Sequence, residues 1–249
     1  MLLTKRNSII LPETNQHADL QVCLYKTGFS SRVQSIQKTL KLNLQNYLYT
    51  FIDDTGHECI GNINWEESLK LNLLLKYFTL SLNPHQEFRE LIRLGVRGEK
   101  KVLYADGDKK VDKKLLEVVA DELYGRREPF GSEFIDAFFQ EVNGVLRVNY
   151  DHILAGNKLI PRKSDLLGDY LIENCYVNSA KFNNQGLPKP NSKSKIQEYK
   201  RGKNIRYACP IKGRVARFST DSVGAFLNCD RNPDDSYSWI GVRAAKIRE

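Results

Sequence analysis

The 249 residues contain no apolar run of bilayer length. The longest apolar stretch, LNLLLKYFTLSL around Leu71 to Leu82, is broken by Lys76 and falls short of the roughly 20 apolar residues a membrane-spanning helix needs. The opening segment MLLTKRNSIILPE has neither the apolar core nor the small-residue cleavage site of a signal peptide, so export is not expected from it. Five cysteines (Cys23, Cys59, Cys175, Cys209, Cys229) lie at least 20 residues apart with no CxxC pair. That argues against a zinc knuckle and a dense disulfide scaffold, and predicts buried free thiols. The four histidines (His17, His57, His85, His152) are scattered singly, with no HExxH or HxH spacing to converge on a metal. There is no GxxxxGK(S/T) loop, no GxSxG elbow and no dinucleotide glycine fingerprint. Neither a metal nor a cofactor is expected.

What is present is an ordinary folding composition, 41% apolar and 27% charged, enough for one large domain or two modest ones. The net charge of +8 invites a nucleic-acid reading, but it is local. Between Leu187 and Arg217 lie Lys189, Lys193, Lys195, Lys200, Arg201, Lys203, Arg206, Lys212, Arg214 and Arg217 against the single acid Glu198, a local +9 on a remainder of −1. With Tyr199 and Tyr207, this segment would suit a phosphate-tracking surface with occasional stacking. It has two prolines at its start and no amphipathic helix to enter a groove, so a solvated basic loop is the favoured reading. Nucleic-acid binding or processing through residues 189–217 stands as the alternative function.

Pattern along the chain predicts an α+β fold. Asn46 to Ile52 and Glu58 to Ile63 are β-prone and flank Asp53-Asp54-Thr55-Gly56, a hairpin signal. A soft boundary falls near Pro84, where Phe88, Leu91, Ile92 and Val96 begin a helical spacing. Lys101 to Tyr104 reads as a short strand, Leu115 to Leu123 as an amphipathic helix, and Ser132 to about Asn143-Gly144 as a second helix built on Phe134, Ile135, Phe138 and Phe139. Val145 to Tyr150 alternates as a strand. Beyond Asp151, Asn157 to Asp165 and Ala180 to Tyr199 read as ordered loops on a small scaffold.

Three local motifs have plainer readings than the chemistry they suggest. Asp54-Thr55-Gly56 matches the aspartic-protease triplet, but the second copy that would share a proton is missing and a turn is favoured. Asp106, Asp108 and Asp112 supply only part of a calcium loop and suit a turn and a helix cap better. Glu122, Arg126, Arg127 and Glu128 read as surface ion pairs at a helix end.

The last thirty residues differ in kind. In Val223 to Asp230, alternation places Val223, Ala225, Leu227 and Cys229 on one face and Gly224, Phe226, Asn228 and Asp230 on the other. The second face runs on into Arg231, Asn232, Asp234, Asp235, Ser236, Tyr237 and Trp239, aromatic anchors beside short polar groups as in antibody paratopes. Composition alone leaves two readings open: a binding surface, or a polar connection between strands with Phe226 and Trp239 in the core.

Arg214-Val215-Ala216-Arg217-Phe218, then Val223-Gly224-Ala225 with Leu227 and Cys229, then Ile240-Gly241-Val242-Arg243-Ala244-Ala245, resembles the variable region of proteins diversified by diversity-generating retroelements. The resemblance extends upstream through Leu103-Tyr104-Ala105-Asp106-Gly107, Leu115-Leu116, Asp121-Glu122-Leu123, Gly125-Arg126-Arg127 and Gln185-Gly186-Leu187-Pro188. It implies a C-type-lectin-like, formylglycine-generating-enzyme-like C-terminal domain over residues 85–249, with a variable region at about 214–243. Residues 1–84 would be a small N-terminal α+β region without assigned role. The formylglycine enzymes' cysteine pair has no counterpart, so the resemblance implies a binding protein and not an enzyme. In such families an error-prone reverse transcriptase rewrites adenines in a template copy while the scaffold stays fixed. The implied diversified, ligand-binding positions are Ser219, Asp221, Gly224, Phe226, Asn228, Asp230, Arg231, Asn232, Asp234, Asp235, Tyr237 and Trp239. Adenine changes alone do not reach tryptophan from an asparagine codon, which leaves Trp239 a scaffold role as its alternative. Four aspartates against Arg231 make this set −3, which predicts a neutral or basic protein or surface ligand; display on a cell or virus surface is a further implication.

Overall fold

The computed structural model describes residues 3–5, 7–14, 17–28, 30–42, 45–50, 56–126, 131–179 and 181–248. The elements in chain order are β1 (Ser8–Leu11), β2 (Leu20–Lys26), α1 (Ser31–Leu40), β3 (Gln45–Thr50), β4 (Gly56–Gly61), α2 (Trp65–Leu74), β5 (Phe78–Thr79), α3 (Leu82–Arg97), α4 (Lys113–Tyr124), β6 (Gly131–Val142), β7 (Val145–Ala155), β8 (Lys158–Leu166), β9 (Cys175–Asn178), β10 (Asn204–Ala208), β11 (Arg214–Asp221), β12 (Gly224–Arg231) and β13 (Ile240–Ile247). The fold is mixed α+β and mostly sheet, with four helices among the described residues. None of those helices is long and apolar enough to cross a membrane.

One sheet runs in the order β1-β2-β13-β6-β11-β12-β10-β9, with β5 on β13 and the β7–β8 ribbon on β6. The chain's last strand lies inside this sheet. Val242 of β13 pairs parallel with Phe134 of β6, while Ala245 pairs antiparallel with Val22 of β2. The sheet thus spans the soft boundary near Pro84, which itself lies in the first turn of α3.

Helices cover both faces of the central strands. Phe88 and Ile92 of α3 and Leu116, Val119 and Leu123 of α4 pack with Ile135, Phe139, Phe218, Ala225 and Leu227. On the opposite face, Trp65 and Leu69 of α2 meet Phe134, Val215 and Ile240, and Val33 of α1 packs near Val242.

That double cover explains the largest correction to the sequence reading. Gly131–Val142 is strand β6, not a helix. A strand buried on both sides carries apolar residues on both faces, so Phe134, Ile135, Phe138 and Phe139 satisfy helical and strand spacing alike. Asn143-Gly144 does end the element, as the left-handed turn of a hairpin into β7 (φ 53° and 77°). Three smaller corrections follow. Lys158–Leu166, expected as a loop, is edge strand β8. Leu103 and Tyr104 make isolated bridges and no regular strand. Val223, expected in the core, is 49% exposed at a turn, although Ala225, Leu227 and Cys229 are fully buried.

The hairpin expected around residues 46–63 is β3 paired with β4. Its turn, with Asp53, Asp54 and Thr55 of the protease-like triplet, lies outside the described residues. Asp112 caps α4, accepting from the Lys114 amide at 2.8 Å, and Asp106 accepts from the Asp108 amide at 3.3 Å. All five cysteines are free; Cys23, Cys59 and Cys229 are buried, whereas Cys175 and Cys209 are partly so.

Glu122 belongs to the core and not to a surface pair. It bonds Lys26 Nζ at 3.0 Å and lies 3.4 Å from Arg243 Nη2. Arg243 Nε donates to Glu133 at 2.9 Å, and Glu133 meets His85 Nε2 at 2.9 Å. Arg243 Nη1 also donates to the Cys23 and Leu24 carbonyls. The network ties β2, α3, α4, β6 and β13 together with every side chain buried. Burial alone would raise the Glu133 carboxyl, but Arg243 and His85 beside it hold it well below the usual carboxylate range. Breaking one member leaves uncompensated buried charge, so Arg243→Met should cost about 3–5 kcal/mol in urea unfolding. The depressed Glu133 contributes stability above the unfolded value of about 4.3, lost as pH falls below it toward the folded value. Glu133→Gln should therefore lower the urea midpoint at neutral pH and flatten the acid limb of its pH profile.

Candidate binding face

β11 and β12 form a hairpin whose turn is set by Asp221. Its Oδ1 accepts the Val223 and Gly224 amides at 2.9 and 3.0 Å. Gly224 has φ +126°, and a Cβ there would stand 2.3 Å from Tyr199 Cγ. Its bareness is a packing requirement, since the Tyr199 hydroxyl is itself anchored on the Tyr124 carbonyl.

Paired residues on neighbouring strands share a face, so register assembles the site. Arg206 of β10 stands opposite Phe226 of β12, Phe226 opposite Ser219 of β11, and Ser219 opposite Ser132 of β6. In the next row Asn228 pairs with Arg217, and Arg217 with Phe134. The Arg206 guanidinium lies 4.8 Å from the Phe226 ring centre. Ser132 and Ser219 hydroxyls meet at 2.9 Å, Asn228 Nδ2 donates to Ser219 Oγ at 3.2 Å, and Arg231 Nη2 donates to Asn228 Oδ1 at 2.9 Å. Arg231 Nε also stands 3.2 Å from Asp230.

Residues 232–239 close the face and are held by backbone bonds at several points. The Trp65 amide donates to the Pro233 carbonyl (3.1 Å), the Asn62 amide to Tyr237 (2.8 Å) and the Ser132 amide to Trp239 (3.2 Å). Gly61 permits the approach, since a Cβ there would be 1.8 Å from the Ser238 carbonyl oxygen. On this pinned backbone Tyr237 stacks on Trp239, ring centres 5.0 Å apart and planes within 3°. Trp239 in turn covers the Arg217 guanidinium at 5.2 Å.

The twelve sequence-designated positions divide by burial. Asn232, Asp234 and Tyr237 are exposed; Asp221, Phe226, Asp230, Arg231, Asp235 and Trp239 are partly buried. Ser219, Gly224 and Asn228 are buried in the hydrogen bonds and packing just described. Arg206, Arg217 and Ser132 join the face although the sequence reading did not place them there. The alternation Val215-Arg217-Ser219 held a signal for Arg217, masked by its membership in the basic run.

The basic segment is not one solvated loop. It contains β10 and the start of β11, and Arg217 is buried. Lys193, Lys200, Arg201 and Lys212 pair with Glu173, Glu198, Asp121 and Glu141. Among the described residues no three His, Cys, Asp or Glu side chains converge as metal ligands. A cavity of about 480 Å³ lies elsewhere, lined by Gln34, Gln37, Lys38, Lys41 and Leu42. Comparison with protein-family models, curated proteins and solved structures finds no match.

The division by burial predicts opposite mutational costs. Asn228→Ala strands Ser219 and Arg231 and should cost about 1–3 kcal/mol, whereas Tyr237→Ala should stay within about 0.5 kcal/mol. Gly224→Ala should be severe, because backbone and Tyr199 both resist it. Chemical unfolding of the three variants checks the order.

Proposed function

We propose that the chain is a non-enzymatic binding protein that presents a hypervariable face on a C-type-lectin-like scaffold, its variability arising from retroelement-directed mutagenesis. The observation that carries this reading is convergence. Phe226, Asp230, Arg231, Asn232, Asp234, Asp235, Tyr237 and Trp239 lie within one hairpin strand and the pinned segment that follows it. The residues between them that a fixed scaffold needs, Ala225, Leu227, Cys229 and Ile240, are fully buried. Such a division lets side chains change without changing the fold. The face extends along β12 and residues 232–239, which suits a macromolecular ligand more than a small one. Its aromatic anchors and mixed charges supply contact area and selectivity. On this reading Ser219, Gly224 and Asn228 act as supports and tolerate less variation than the rest.

Randomising Asn232, Asp234, Asp235 and Tyr237 together in a display library tests this. Most members should fold, with Tm within about 2 °C of the parent, and selection against unrelated purified proteins should yield distinct binders. A library that largely unfolds would contradict the reading. The alternative, nucleic-acid binding through residues 189–217, is weakened because four of its ten basic residues are in ion pairs and Arg217 is buried. A single-stranded RNA or DNA duplex should show no binding at low salt; tight binding with a steep salt dependence would favour the alternative.

A further inference from the structure

We infer that Arg217 is a recognition residue that takes an acidic side chain, Asp or Glu, from a protein partner; this rests on the display reading above. Arg217 is only 5% exposed, and its Nε and Nη1 have no hydrogen-bond partner among the described residues. An arginine stays charged, and a buried guanidinium without acceptors is costly, so such groups are normally paired. Here the Trp239 ring lies over one face at 5.2 Å, and Asp235, Tyr237 and Asp230 stand close enough to attract the charge, but none is hydrogen-bonded to Nε or Nη1.

Burial, followed by the neighbouring charge of Arg231, lowers its pKa to about 10, a value that still leaves it protonated at neutral pH. Arg89 offers the contrast. It too is buried with unpaired nitrogens, but it donates to Gln86 and lies against the Tyr124 and Phe218 rings on the opposite side of the sheet. Arg217 sits instead beneath the Tyr237–Trp239 stack, at the edge of the candidate face.

A carboxylate suits this cation, since its two oxygens bind Nη2 together with either Nε or Nη1 in one plane. Arg231 adds a second positive charge nearby. The surroundings set the partner's wider character. Asp235 and Asp230 act on the site and disfavour a polyanion such as a nucleic-acid backbone, so the expected partner carries one acidic side chain in a neutral or basic surface. Entry requires that the 47% exposed Tyr237 turn aside and that the half-buried Trp239 shift on the Trp65, Val215 and Ile240 cluster it packs against.

The test uses N-acetylglutamate as probe, with N-acetylglutamine and chloride at matched ionic strength as controls, on the full-length ¹⁵N-labelled chain. Two tryptophans give two indole signals; Trp65, whose Nε1 donates to the Ile135 carbonyl, packs in the same cluster as Trp239, so the control is the Arg217→Met chain. N-acetylglutamate should shift the Trp239 indole and an arginine Nε–H saturably. N-acetylglutamine should bind at least about tenfold more weakly. Arg217→Met should raise Tm, by removing an unpaired buried charge, and abolish the response. Absence of a saturable shift in the parent chain, an equal shift in Arg217→Met, or tighter binding of inorganic phosphate than of N-acetylglutamate would each overturn the assignment. A library that folds and yields binders while this titration fails removes the carboxylate assignment alone; a library that unfolds while the titration succeeds removes the display reading alone.

Discussion

The Arg243 guanidinium is the point on which the rest of the structure depends. It lies fully inside the protein, held by Glu133 of β6, Glu122 of α4 and two carbonyls of β2, with the Phe88 ring of α3 at 4.9 Å. A cation so placed is tolerated only because carboxylates and carbonyls meet it on several sides. Those partners come from segments up to 220 residues apart in the chain. Satisfying one side chain therefore fixes the mutual placement of two helices and three strands.

The consequence for the candidate face is direct. β13 begins at Ile240, immediately after Trp239, and Arg243 is the fourth residue of that strand. With β13 locked between β2 and β6, the segment before it has a fixed exit, and the amides of Asn62, Trp65 and Ser132 fix its course. The exposed side chains of residues 232–237 thus stand on a backbone held chiefly from other segments, to which the Asn232 side chain adds a local bond from the Asp234 amide. Rigidity of this kind keeps the entropy cost of binding low, since the backbone is already arranged before a partner arrives. Arg217 and the Ser132-Ser219-Asn228-Arg231 chain lie just beneath, the first with unpaired donors and the second with its bonds made.

The sequence disclosed the parts of this arrangement that depend on neighbours along the chain. Alternation in β12 separated Ala225, Leu227 and Cys229 from Phe226 and Asp230, and capping and spacing located α3 and α4. What it hid depends on strands meeting across long separations. β6 looked helical because cover on both faces erases the period of two. Its Glu133 and Asp136 gave no hint of burial, since their partners, Arg243 and His152, are identified by strand pairing and not by spacing. Glu122 looked like a surface acid for the same reason. Arg206 and Arg217 were counted into a basic run, whereas register places them in rows with Phe226 and Asn228. Charge summed along a chain does not reveal which cations turn inward.

The central claim is that residues around 214–243 are variable by mechanism while the buried positions between them are fixed. Sequencing the genomic DNA around the coding region tests it most directly. The account predicts a nearby near-copy of the segment encoding residues 214–243, differing chiefly at adenines, beside a reverse-transcriptase gene. The differences should fall on codons such as those of Asn232, Asp234 and Tyr237 and spare those of Ala225, Leu227 and Ile240. A locus with no such copy and no reverse transcriptase, or a copy whose differences fall evenly over buried and exposed codons, would contradict it.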